Sequence, residues 1–242
     1  MKMTCMGIDI SDNDISCDND LVSNVDSSLL SIIDENIVFS KVTNVTGDDI
    51  TVSTIINDDN TLESVNSKIY NILYENAQGF DDLNGVGKTK SQAGEGISYA
   101  EIDLDKKFYP DAVVVAFDTY CGESFVGSVA KNAYDAACGM KYVGDISCSV
   151  VDDIKEIPGV GFVSNSTDDP VIVASVHNTE QVGVVAGAMI GSILGSKNTY
   201  LTHRGSACNV IPGSVIFTVT AIMNHNLIDL SIPFTYRMRC LK

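Results

Sequence analysis

Positive charge is the scarcest thing in this chain of 242 residues. Fifteen lysines and arginines stand against 32 aspartates and glutamates, a formal net charge of −17. That deficit removes nucleic acid and anionic membrane surfaces from the expected partners, because binding there depends on Lys and Arg neutralising phosphate. A small anionic or polar metabolite stays allowed, since a few local groups outweigh a distant field once salt screens it. Aromatic residues are also scarce, at 7%, while the hydrophobic fraction is 45%, so the core must come from Val, Ile, Ala and Gly. The seven cysteines are scattered and odd in number, with no Cys-x-x-Cys pair. They read as reduced thiols of a cytoplasmic protein rather than a disulfide framework. No leading segment joins a basic start, an apolar run and a small-residue cleavage site, and the apolar run Val182 to Leu194 is too short to span a bilayer.

The length allows one large domain or two small ones. The first thirty residues, rich in Asp, Asn and Ser, read as a mobile lead-in, or as a strand at Met3–Ile10 followed by loop. Ile37-Val38-Phe39 and Ile50–Ile56 are β-branched and are separated by Thr46-Gly47-Asp48-Asp49, a hairpin signal. Thr61 to Tyr74 carries Val65, Ile69, Ile72 and Leu73 near the helical period. The glycine-rich stretch from Gln78 to Gly96 is a boundary or a functional loop. Beyond it, strands are expected at Ile97–Leu104, Ala112–Phe117, Tyr142–Ser149, Gly161–Ser164, Val171–Val176, Asn198–Thr202 and Ser214–Thr220. Helices are expected at Gly122–Met140 and Thr179–Leu194. The expected fold is therefore α/β or α+β, a mixed β-sheet with helices packed on it. The order of elements across 112–202 also suits a ferredoxin-like split βαβ unit. The expected division is a smaller hairpin-plus-helix part over 1–90, with an acidic lead-in, and a mixed-sheet part over 97–242 that carries the site.

Three reactive clusters fall where expected strands end: Asp118-Thr-Tyr-Cys121-Gly122, His177-Asn178, and His203-Arg204-Gly205. In open parallel sheets ligands sit beyond the carboxyl ends of strands, so these clusters are expected to converge. Cys121, between a buried strand and the start of a helix, is the candidate nucleophile, because free N–H groups and the helix dipole favour thiolate. His177 or His203 is the candidate base and Asp118 its orienter. Arg204 is the candidate anchor for a carboxylate or phosphate, and Gly122, Asn178 and Gly205 complete the substrate-binding set. Together they predict a thiol-dependent hydrolase or acyl-type transferase acting on a small molecule. The competing reading is a non-catalytic metabolite-binding or assembly module.

Two tempting motifs fail. Asn84-Gly-Val-Gly-Lys-Thr89 lacks the leading glycine of a phosphate loop, since position 82 is Asp, and a helix precedes it. The run Asp9, Asp12, Asp14, Asp18, Asp20 lacks the Gly and Glu of a calcium loop, with Cys17 and Ser23 in their places. It reads as a solvated acidic loop, no metal is assigned to the chain, and no cofactor is named. Gly183, Gly187, Gly191 and Gly195 recur every fourth residue along one helix. That smooth strip predicts tight packing on the sheet or on a second copy, and hence a homo-oligomer.

Overall fold

A computed structural model describes residues 1–232 except 13–15, 80–82, 84, 95, 105–110, 121, 152–153, 165–166, 168 and 208–211. Along β1 (Lys2–Asp9) successive side chains point to opposite faces, and both faces are covered. Met6 and Ile8 join a cluster with Leu21, Val25 and Leu29 of α1 (Asn19–Leu30) and with Val65, Ile69 and Leu73 of α2 (Leu62–Asn76). Met3 and Cys5, on the other face, join Ala112 and Val114 of β5 (Asp111–Thr119) and Val171 and Val173 of β9 (Val171–Val176). β5 alternates in the same way. Its Val113, Val115 and Phe117 meet Val126, Val129 and Ala133 of α3 (Glu123–Cys138) and Val185, Met189 and Ile193 of α4 (Val182–Leu194). Four layers result: α1 and α2, a first sheet, a second sheet, then α3 and α4. Double-sided burial is why Ala112–Phe117 is a continuous apolar run rather than an alternating one.

The first sheet has the order β2-β3-β1-β4, with β2 (Ile37–Thr46), β3 (Asp49–Ile56) and β4 (Ile97–Asp103), and every neighbouring pair is antiparallel. The second has β6 (Val143–Cys148), then β9, β5 and β11 (Val215–Met223) in antiparallel succession. β10 (Thr199–Leu201) and β12 (Asn226–Asp229) both pair with β11, and β7 (Ile154–Ile157) with β8 (Gly161–Ser164) makes a separate hairpin. Four helices and three sheets among the described residues make this a mixed α/β fold.

The succession β1-α1-β2-β3-α2-β4 recurs as β5-α3-β6-β9-α4-β11, in the same order across its sheet. The ferredoxin-like unit therefore occurs twice. One constant offset in sequence carries Asp49 to Asp169, Ile56 to Val176, and the 3-10 turn Asp59–Thr61 to the turn Thr179–Gln181. The same offset carries the buried Leu62, Val65, Ile69 and Leu73 to the buried Val182, Val185, Met189 and Ile193.

Three expectations change. β4 completes the first sheet, so the division between the sheets falls between β4 and β5 rather than at residues 90–97. The Asp-, Asn- and Ser-rich lead-in contains a helix, α1, whose Asp18 side chain accepts the Asp20 N–H and whose Leu21, Val25 and Leu29 form a buried stripe. The glycine strip does not lie on the sheet. α4 turns Val182, Val185, Met189 and Ile193 inward, and a Cβ added to Gly183, Gly187 or Gly191 would meet nothing within 4 Å among the described residues.

The two sheets are also tied by polar contacts. Edge strand β2 shifts register between Val42 and Asn44, and the second sheet's unit pins this irregularity. Arg204 donates its Nε–H to the Thr43 carbonyl at 3.0 Å and an Nη2–H to the Val42 carbonyl at 2.9 Å. Thr220 Oγ1 also donates to the Thr43 carbonyl, and Asn44 Nδ2 donates to the Val114 carbonyl and to Thr218 Oγ1. Burial lowers the Arg204 pKa, while Asp26 and Asp229 hold the charge in place. Arg204→Ala should cost roughly 2–5 kcal/mol, from carbonyls left without their charged donor, and lower the melting temperature by about 5–15 °C. Thermal unfolding followed by circular dichroism checks this, and an unchanged melting point would show that the tie contributes nothing.

Candidate metal centre

Alternation along the strands decides where the acidic side chains go. In β1 and β3 the helices receive Met6, Ile8, Ile50 and Val52, so Asp9 and Asp49 fall on the face turned to the second sheet. In β5 the helices receive Val113, Val115 and Phe117, so Asp118 falls on the face turned to the first. Asp9 stands opposite Asp49 in the β1–β3 ladder. In the second unit Ala116 pairs with Val171 and the Phe117 N–H donates to the Pro170 carbonyl, which brings Asp118 level with Asp169. Each unit thus offers one pair of carboxylates at the same point of its sheet, and the pairs meet across the seam.

Asp48 adds a fifth. It occupies the two-residue turn between β2 and β3, whose first central residue, Gly47, has φ +60° as such a hairpin needs. Gly47 is required a second time over, because a Cβ there would collide with Asp118 Oδ2. Carboxylate oxygens of Asp48, Asp49 and Asp118, all three buried, lie within 4.8 Å of one another. Asp49 is 5% exposed, and its Oδ2 has no hydrogen-bond partner among the described residues. Burial raises its pKa well above the usual carboxylate range, and the Asp169, Asp118, Asp48 and Asp9 carboxylates raise it further.

The groups around the cluster respond to the same field. Cys17 donates Sγ–H to the Asp48 carbonyl at 2.8 Å. Its pKa is pushed up to about 12 by burial and by Asp48, Asp9 and Asp118, against a lowering hydrogen bond from Ser11, so it stays a neutral thiol. Tyr120, partly exposed just past the end of β5, is raised by desolvation and then by Asp118, Asp48, Asp49 and Asp169. Asp169 is oriented from below: its Oδ1 accepts the Thr119 N–H at 3.1 Å, and its own N–H donates to Thr167 Oγ1. All the donors are hard oxygens, the set that Mg²⁺, Mn²⁺ and Ca²⁺ prefer.

Of the residues singled out by sequence, Asp118 enters this cluster. Cys121 lies outside the described residues. Gly122, with φ +80°, directly precedes α3. His177 does not join them. β5 and β9 run antiparallel, with Asp111 opposite Val176, so His177 and the exposed Asn178 sit at the far end of a strand about 25 Å long. The expectation of convergent strand ends required parallel neighbours and fails here. His203 lies beyond β10, where its Nδ1 is 2.8 Å from Ser231 Oγ and 3.7 Å from Asp229 Oδ2. Asp229 is level with Thr220 and hence with Val114, well short of Asp118. Ser231 Oγ donates to Asp229 Oδ1, so this trio is a structural network rather than a nucleophile with its base. Arg204 faces the backbone of β2, and the Gly205 N–H donates to the Val45 carbonyl.

Sequence reasoning missed Asp48, Asp49 and Asp169, and dismissed Asp9 with the acidic loop. A signal was present: Gly47-Asp-Asp49 and Thr167-Asp-Asp169 each precede an apolar β-branched run and then a helix.

A relative from Methanothermobacter thermautotrophicus, an uncharacterized protein, is 48% identical over 242 residues, 100% of this chain and 98% of its own. An uncharacterized protein of Methanocaldococcus jannaschii is 37% identical over 225 residues, 93% of each chain. A solved anthrone oxidase-like protein covers 94% of this chain and 93% of its own at 7% identity, with a TM-score of 0.32 that carries no inference. Residues 2–238 match the family model described as Uncharacterised conserved protein UCP005278, and the chain belongs to that family.

Proposed function

We propose that this protein is a divalent-cation-dependent protein acting on a small anionic metabolite, with the cation held at the seam of the two sheets by Asp48, Asp49 and Asp118. One observation carries the reading: a buried carboxylate with an unpartnered oxygen, facing other buried carboxylates at ligand distance. Ionised acids so placed repel one another in a medium that screens poorly, and either a proton or a cation must compensate them. A hard cation fits the donors, and its remaining positions take water or an oxyanion of the substrate. The chain's large negative charge then ceases to oppose an anionic ligand, because the ion dominates the local field. A small-molecule hydrolase or transferase remains the reaction class, with the cation polarising the substrate where the sequence pointed to a thiol and its base.

A second reading concerns assembly. The outward strip of Gly183, Gly187 and Gly191, beside Val184 at 47% exposure, lies on a helix without a single charge. It supports a homo-oligomer in which two copies of α4 lie against each other, a close approach that glycine permits.

Each reading has its own measurement. With chelator present, Asp49 holds a proton when folded at pH values where the unfolded chain has released it. Its contribution to stability is therefore full below the ordinary carboxylate range and is lost as pH rises toward the raised value. Asp49→Asn should raise the metal-free melting temperature at pH 7 by several degrees, at about 2–4 °C per kcal/mol for a chain of this size. Mg²⁺, Mn²⁺ or Ca²⁺ at a hundredfold excess over its dissociation constant should stabilise the wild type by about 2.7 kcal/mol and leave the variant unmoved. Calorimetry showing no response of the wild type to any of the three ions sinks the metal reading. For assembly, Gly187→Leu should keep or raise the melting point, leucine being about 1 kcal/mol the better helix former, while light scattering reports a single-chain mass. A wild type that is already monomeric removes the second reading.

A further inference from the structure

Asp169 stands beside the three carboxylates that meet at ligand distance, and the residues that hold it there come from both sheets. We infer that Ser98 and Thr167 are positioning residues of the cation site, fixing Asp169 where its negative charge strengthens the binding of the ion. This rests on the metal reading above and assigns residues that it leaves out. Gly7 of β1 lies between Thr51 of β3 and Ser98 of β4 in the ladders, on the face that carries Asp9 and Asp49. A Cβ added to Gly7 would come 3.4 Å from Ser98 Cβ and 3.8 Å from the Asp169 carbonyl oxygen, so the second unit's backbone rests on this spot. Ser98 Oγ donates to that carbonyl across the seam and is 3.0 Å from Thr167 Oγ1. Thr167 Oγ1 in turn accepts the Asp169 N–H at 3.1 Å. Ser98 is 2% and Thr167 1% exposed, so bulk water does not compete for either hydroxyl. On the side chain, Asp169 Oδ1 accepts the Thr119 N–H at 3.1 Å, one residue past Asp118. The carboxylate is thus held beside Asp118 and near the start of β3 at Asp49, two residues and roughly 7 Å from Thr51. After burial, Asp169 is the largest of the influences that raise the Asp49 pKa. Such repulsion drives Asp169 outward, and the hydroxyl links to its backbone oppose that drift. A cation among the acids turns the same proximity into attraction.

The experiment is Mn²⁺ binding to the full chain by calorimetry, well below the melting temperature of each variant, arranged as double-mutant cycles. Asp169→Asn, whose side-chain amide oxygen still accepts the Thr119 N–H, should weaken binding about 10–100-fold. Ser98→Ala and Thr167→Val should each weaken it about tenfold in the wild type and change it no further in the Asp169→Asn background. Should one of these two fail to fold, the other closes the cycle. Thr167→Ser, which keeps the hydroxyl, should bind as the wild type does. Asp169→Asn binding as tightly as the wild type overturns the inference and leaves the metal reading standing. Wild-type affinity in both Ser98→Ala and Thr167→Val overturns it too. Losses that persist in full beside Asp169→Asn show a role in packing alone and also overturn it, as does Thr167→Ser binding as weakly as Thr167→Val. No binding by the wild type overturns both.

Discussion

Two sheets packed face to face are stable only if the strand faces between them stay dry and close-fitting, and most of this seam obeys that rule. Met3, Cys5, Ile55, Ala100, Ala112, Val114, Val171 and Val173 fill one part of it. Thr43, Ser53, Asn44, Thr46 and Thr218 fill another with paired hydroxyl and amide groups, Thr46 Oγ1 lying 2.6 Å from Thr218 Oγ1. At the end of the seam the rule is broken, and carboxylates occupy positions where apolar or hydroxyl side chains would serve stability better. A group of like charges in a buried site costs free energy unless something binds it. The departure from the pattern followed along the rest of the seam is what makes this corner the candidate site.

The same corner explains several local features. Gly47 combines a left-handed turn with the close approach of Asp118, so no other residue suits it. Cys17 donates to the turn's Asp48 carbonyl and is held as a neutral thiol by its burial and then by the neighbouring acids, which separates its role from that of a nucleophile. Arg204, the chain's most placeable cation by sequence, is directed to the edge strand rather than to the acids. It holds the bulged β2 in register, and so fixes where the β2–β3 turn delivers Asp48 and Asp49.

Much of the architecture was legible in the chain. Ala112–Phe117 announced a doubly covered strand, Val171–Val176 announced a strand, and of the stripe Val65, Ile69, Ile72 and Leu73 all but Ile72 are buried on the helical face that meets the first sheet. Although the strand that completes it is β11 at Val215–Met223 rather than the one expected at Asn198–Thr202, the split βαβ order was readable from residue 112 onward. Its earlier copy was not, because the equivalent helices differ in character: α2 carries Glu63, Lys68 and Glu75, while α4 has no charge and four glycines at or next to its ends and face. The acidic lead-in hid α1 for a related reason. Solvent-facing Asp, Asn and Ser outnumber the three buried residues that make it a helix.

Composition by itself pointed to an interior of Val, Ile and Ala, and the shortness of its apolar runs agrees with the finding that no described helix is long and apolar enough to cross a membrane. The sequence also marked most of the strands and helices, α1 and β7 excepted, since periodicity is local. Direction and partnership were decided by tertiary structure alone. Antiparallel pairing of β5 with β9 sent His177 away from Asp118, and packing of two sheets brought Asp9, Asp48, Asp49, Asp118 and Asp169 together from four separate stretches of chain. No window of sequence contains that information, because a cluster assembled across a seam depends on register and on which face each strand turns inward.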